Sequence, residues 1–209
     1  IILTYFNYKI TDNELILKAK GLSGMLLIML KMNFKSFFFS REPDEKFNTY
    51  MKVLTQWGEA LATLNPKQFI LQSLAIINNV LNYDLSKSLA GLSIFTECAN
   101  LFMWTGISFK TSQKMLDYSK NAGSENHPGS MIDYRYTLKM HHFHTGQIED
   151  DLDFMNVYRV GLSVGDSWPT TIYALYSGLS CVELGKYDRL LEIVKTLDEI
   201  SESFDNSHA

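Results

Sequence analysis

Cysteine, proline and unbroken apolar sequence are all scarce in this chain of 209 residues, and each shortage excludes something. Cys98 and Cys181 are the only cysteines and stand 83 positions apart, so neither a disulfide framework nor a CxxC zinc knuckle is available. No Asn-X-Ser/Thr acceptor occurs either, and a reducing, cytoplasmic setting is expected. The most apolar window, residues 21–39, is interrupted by Lys31 and Lys35. A bilayer span needs about twenty predominantly apolar residues. The window is therefore read as a buried helix, with peripheral membrane attachment through residues 21–39 as the weaker alternative.

Positive charge is short as well. Basic residues number 19 against 23 acidic, and they are unevenly placed: residues 1–40 hold five Lys and two acids, the remainder 14 basic and 21 acidic residues. Nucleic acid is not an expected partner on that balance. Neither a G-x-x-x-x-G-K-[ST] loop nor a G-x-G-x-x-G turn is present, so no cofactor is implied. The opening IILTYFNYKI has no basic leader or small-residue cleavage pattern, and the chain is expected to be a piece of a longer protein.

Helix-forming sequence is what the chain has in quantity. Apolar residues recur at three- and four-residue spacing, as at Leu190, Leu191, Val194, Leu197 and Ile200. Turn signals at Asn65-Pro66, Gly106, Gly146 and Gly185 are separated by 41, 40 and 39 residues. Self-similarity at a fixed period of about 20–50 residues marks one supersecondary unit repeated and stacked. The spacing predicts helix pairs at 46–64 with 66–82, 85–105 with 107–121, 130–145 with 147–164, and 169–184 with 186–204. An apolar helical segment over 1–45, the remnant of a preceding repeat, comes before them, and a polar tail over 205–209 follows. The expected fold is all-α, a right-handed α–α superhelix or solenoid of antiparallel helix pairs. Residues 183–209, with seven acids against three basic residues, are expected to give that stack a polar end.

The last unit, ALYSGLSCVELGKYD at Ala174–Asp188, resembles tetratricopeptide repeats. Gly178, Ala99 and Gly58 stand seven positions before Gly185, Gly106 and Asn65, where family members carry a small residue at a close helix approach. Departures are plain: Lys139 holds that place before Gly146, Leu190, Thr111 and Ile70 replace the small residue of the second helix, and the period is near 40 rather than about 34. The resemblance is to degenerate, lengthened repeats over 46–204. The run ANLFMWTGISFKTS at Ala99–Ser112 resembles degenerate repeats behind the ATPase module of large signalling proteins, including soluble-type adenylyl cyclases, and implies a regulatory tail.

Two stretches invite a chemical reading. In MHHFHTGQIEDDLD, Met140–Asp153, three histidines and four carboxylates crowd around Gly146. His141 and His144 could share a helix face as metal ligands. The stronger reading has the histidines closing one helix and Glu149, Asp150, Asp151 and Asp153 opening the next, where helix-terminal partial charges favour them. Gly161-Leu162-Ser163-Val164-Gly165 matches the G-x-S-x-G pattern of a hydrolase elbow and nominates Ser163. Its helical surroundings argue instead for helix termination, with Gly165 or Gly161 at a positive φ.

Function is therefore expected from shape: a non-catalytic segment meeting a protein, a peptide or another domain of the same chain. First helices line the concave side of such stacks, which directs attention to Lys52, Gln56, Glu59, Asn100, Arg135, Lys139 and Tyr176. A testable consequence follows for the turn. Replacing Gly146 with Val should lower the urea midpoint more than replacing His141, His142 or His144 singly with Gln, because a β-branched residue in the left-handed region costs about 1–2 kcal/mol.

Overall fold

The computed structural model describes residues 13–33, 41–165 and 167–206. Among these residues the chain is all-α, with α1 at Glu14–Asn33, α2 at Glu45–Leu64, α3 at Pro66–Val80, α4 at Leu89–Trp104 and α5 at Phe109–Asn121. There follow α6 at Pro128–Thr145, α7 at Phe154–Val164, α8 at Ser167–Glu183 and α9 at Tyr187–Asn206.

The helix starts are dictated by side chains that accept from otherwise unpaired N–H groups. Asp44 accepts from Phe47 N at 2.7 Å, Asn65 from Gln68 N at 3.1 Å, Ser88 from Gly91 N at 3.2 Å and Ser108 from Thr111 N at 3.1 Å. Pro66 and Pro128 occupy the first positions of α3 and α6, where a missing N–H costs nothing.

Four of the described helices, α4, α6, α7 and α8, stop at a glycine. Gly106, Gly146 and Gly185 lie in the left-handed region with φ of 66°, 72° and 67°. At Gly146 the glycine N–H reaches Phe143 O and the next N–H, of Gln147, reaches His142 O at 2.8 Å. Gly185 and Lys186 repeat the pattern onto Val182 O and Cys181 O. This doubly bonded cap satisfies the orphaned carbonyls and turns the chain back on itself. Gly165, φ 75°, closes α7.

The chain forms two compact units, Ile1–Tyr134 and Arg135–Ala209. In the first, α2 packs on α3 and α4, α4 packs on α5, and α1 lies along α3 and reaches α5. Gly21 sits against Leu71, where a Cβ would stand 3.3 Å from that side chain. Lys31 is buried, its Nζ donating to Leu81 O at 3.1 Å just beyond the C-terminus of α3, where the helix dipole favours a cation. Thr96 Oγ1 donates to Ser119 Oγ at 2.8 Å and ties α4 to α5. In the second unit α8 packs between α7 and α9. Phe154 stacks on Tyr158 and Tyr173, and Tyr136 meets Trp168 edge to face.

Among the described residues the predicted helices correspond to the observed ones with four corrections, while residues 1–12 and 34–40 of the predicted 1–45 segment and 207–209 of the predicted tail lie outside the described residues. The stretch predicted to begin helix at 147 is an irregular loop as far as α7, so Glu149, Asp150 and Asp151 do not open a helix; Asp153 flanks α7 and makes no side-chain capping bond. Residues 85–87 form a short 3-10 turn and α4 starts only after its Ser88 cap. Residues 205 and 206 belong to α9 rather than to a tail. Gly161 is buried inside α7 rather than ending it.

That glycine marks the tightest approach in the second unit. A Cβ on Gly161 would stand 2.1 Å from Thr170 Oγ1 and 3.0 Å from its Cβ, so α7 and α8 touch only because position 161 has no side chain. Gly161→Ala should therefore lower stability by about 1–3 kcal/mol, read as a shifted urea midpoint. Thr170→Ala placed in the same variant should recover part of that loss.

Candidate functional site

The acidic loop between α6 and α7 is the most heavily bonded polar feature of the second unit. Lys139 Nζ, near the end of α6, donates to Glu149 O at 3.0 Å and stands 3.7 Å from Asp151 Oδ2. Ser177 Oγ on α8 donates to the same Asp151 oxygen at 3.0 Å, the Tyr173 hydroxyl also bonds that carboxylate, and Arg189 of α9 donates to Asp151 O at 3.4 Å. Lys186 Nζ meets Asp150 Oδ2 at 2.5 Å. The partners come from α6, from α8, from α9 and from the turn before α9, so a loop without regular structure of its own is held by side chains in place of backbone ladders.

Such a cluster resembles an acid/base site in composition, but its geometry is that of a clamp. Asp151 is nearly enclosed and shares its charge among a lysine, a serine and a tyrosine, and the Lys186 ammonium holds the Asp150 carboxyl below its ordinary range. Burial pushes the Tyr173 hydroxyl and both thiols, Cys98 and Cys181, upward, which removes them as ready nucleophiles.

The histidines divide. His141 is buried; His144 is exposed, its Nε2 lying 3.2 Å from Tyr176 OH, with Phe143 edge-on to the same tyrosine. No group of three or more His, Cys, Asp or Glu side chains among the described residues could hold a metal ion. His141→Gln will cost more than the same change at His144, because the replacement must fit an enclosed site shaped around an imidazole. Ser163 lies in the last turn of α7 with helix, not strand, before it, and its Oγ donates to Val160 O at 2.8 Å. No described helix is long and apolar enough to cross a membrane.

The residues expected to meet a partner fare unequally. Lys52 and Gln56 are exposed one turn apart on α2, and the Glu59 side chain lies outside the described structure. Asn100 is a correction: at 2% exposure it faces the interior of the first unit and offers nothing to a partner. Arg135 and Tyr176 are half-buried, and Lys139 is engaged by the acidic loop.

What sequence reading passed over is the outward surface of the last pair. Trp168, Leu175, Leu179 and Val182 fall on one stripe of α8 and are 38–54% exposed. Leu184, Tyr187, Leu191 and Val194, in the turn and along α9, are exposed as well. Exposed Glu183, Lys186, Asp188, Glu192, Lys195 and Asp198 share that end with them, so the expected polar end also carries an apolar stripe. A signal was available: no charged residue occurs from Ser167 to Val182, whereas a solvated helix face normally carries charge. On α1, Leu15, Leu22, Leu26 and Leu30 are likewise exposed, opposite the buried Leu17, Gly21, Gly24 and Ile28.

The titrating groups of this unit give a pH dependence. Burial is the main cause that lowers the pKa of His142 from its ordinary 6.5. The unfolded chain then takes up the proton more readily, so stability is complete above about pH 6.5 and declines as pH falls toward the folded value. Asp150, lowered chiefly by Lys186, contributes above the unfolded carboxylate value of about 3.9 and loses that contribution below it. Urea midpoints measured across pH should show His142→Gln flattening the decline below about pH 6.5, and Lys186→Met flattening the part below about pH 4. Wild-type midpoints that rise on acidification would contradict both.

The chain matches no protein-family profile, and neither a curated protein nor a solved structure is detectably similar to it.

Proposed function

We propose that the chain is a non-catalytic helical-repeat segment, a right-handed solenoid of tetratricopeptide-like pairs, which acts by contact with a protein, a peptide or another domain of its own polypeptide. The observation that carries this reading is the uncharged, half-exposed stripe of α8. Contiguous exposed apolar surface on a folded domain marks a site of interaction, and the cores of protein interfaces are depleted in charge. The matching left-handed caps at Gly106, Gly146 and Gly185, 40 and 39 residues apart, support a stack built from one repeated unit. The likeness of Ala99–Ser112 to repeats behind ATPase modules supports a regulatory place in a larger intracellular signalling protein, such as a soluble-type cyclase.

Leu175→Asp together with Leu179→Asp should remove this contact without unfolding the chain, because both side chains face outward. Quantitative affinity capture should recover at least one protein with wild type that the double variant loses about tenfold or more, the scale of a hot-spot residue. Lys52→Glu with Gln56→Glu tests the first-helix face of α2 in the same way. Identical recoveries for all three proteins, with unchanged circular dichroism, would sink the reading.

A further inference from the structure

Apolar surface at the end of the second unit is self-complementary. Along α9, Tyr187, Leu191, Val194 and Asp198 follow one another at four, three and four residues, the spacing of a seam that meets another helix. Asp188 and Lys195 each stand one position after a seam residue and seven residues apart, so they lie on the same flank, and both are exposed. When two copies of a helix pack antiparallel about a two-fold axis, like flanks face each other. Asp188 then meets Lys195 of the partner subunit, and the reciprocal pair forms by symmetry. Lys186 and Arg189, the other basic side chains of this region, are turned to Asp150 and Glu192 within the chain.

Area agrees with the charge pattern. The α9 stripe with Leu184, and the α8 residues Leu175, Leu179 and Val182, are each 38–61% exposed. At about 150 Å² for a fully exposed side chain, the lower end of the aromatic range because most of these are Leu or Val, roughly 500 Å² remains on one copy, and two copies would bury about 1,000 Å². A specific interface needs to clear about 1,000 Å².

We propose that this face is a self-association surface: a second copy docks through its own α8–α9 face, α9 antiparallel to α9, in a two-fold dimer closed by two Asp188–Lys195 pairs. The inference rests on the contact function proposed above and names a partner for it. The dimer is isologous, so it closes and leaves no sticky end.

Sedimentation velocity over a wide concentration range tests it. Wild type should dimerise, and Leu191→Glu should weaken the dimer about thirtyfold or more, as a central seam residue would. Asp188→Lys and Lys195→Asp should each weaken it about tenfold by placing like charges opposite one another, and an equimolar mixture of the two should regain wild-type association as a heterodimer. All three substituted positions are outward-facing, and circular dichroism checks that each variant folds. Wild type that stays monomeric throughout, or a mixture no tighter than either variant alone, overturns the proposal. If that happens while Leu175→Asp with Leu179→Asp still loses a captured protein, the contact function stands and only self-association falls; if capture is also unchanged, both fall.

Discussion

Two helices in a hairpin touch along one line, and the faces turned away from that line must be closed by something else. In the second unit α8 is closed on one side by α7 at Gly161 and on another by α9, where Gly178 would bring a Cβ within 3.4 Å of Leu190. Its third side is apolar and uncovered. The same constraint shapes the first unit, where Gly21 lets α1 approach Leu71 closely and so cover α3. Small residues placed where helices meet fix which faces are used up and which are left over.

Charge serves this packing. The loop from Gln147 to Asp153 has no backbone ladder, and Lys139, Ser177, Lys186 and Arg189 supply the missing partners. Breaking the contacts of the largely enclosed Asp151 carboxylate leaves it underbonded, which costs more than the bond itself. Lys31 does comparable work in the first unit, where a buried ammonium satisfies Leu81 O at the end of α3. The four carboxylates that looked like chemistry are, by their bonds, parts of a joint.

Helix positions and turn glycines were legible in the sequence because they depend on local rules: the break at Asn65-Pro66 and the turn glycines Gly106, Gly146 and Gly185, which the structure places in the left-handed region. The start of α7 was not, because Glu149, Asp150 and Asp151 satisfy the local rule for a helix N-terminus while Lys139, Ser177 and Lys186, distant in sequence, offer better partners. Asn100 failed for a related reason: a polar residue on a helix reads as surface until the packing around α4 is known. The outward stripe of α8 and α9 was half legible. Its lack of charge was visible, but apolar residues at helical spacing look the same whether a neighbour covers them or not.

The glycines at 106, 146, 165 and 185 have nothing within 4 Å of where a Cβ would stand. Space does not require glycine at these turns; handedness does, since positive φ disfavours only the L form of a side chain. These four corners are therefore chiral constraints rather than steric ones. A residue of the opposite hand, such as D-alanine introduced by chemical synthesis, would keep every contact of the turn and restrict the unfolded chain, so the flexibility of glycine there is a concession to L-amino-acid chemistry and not a requirement of the fold.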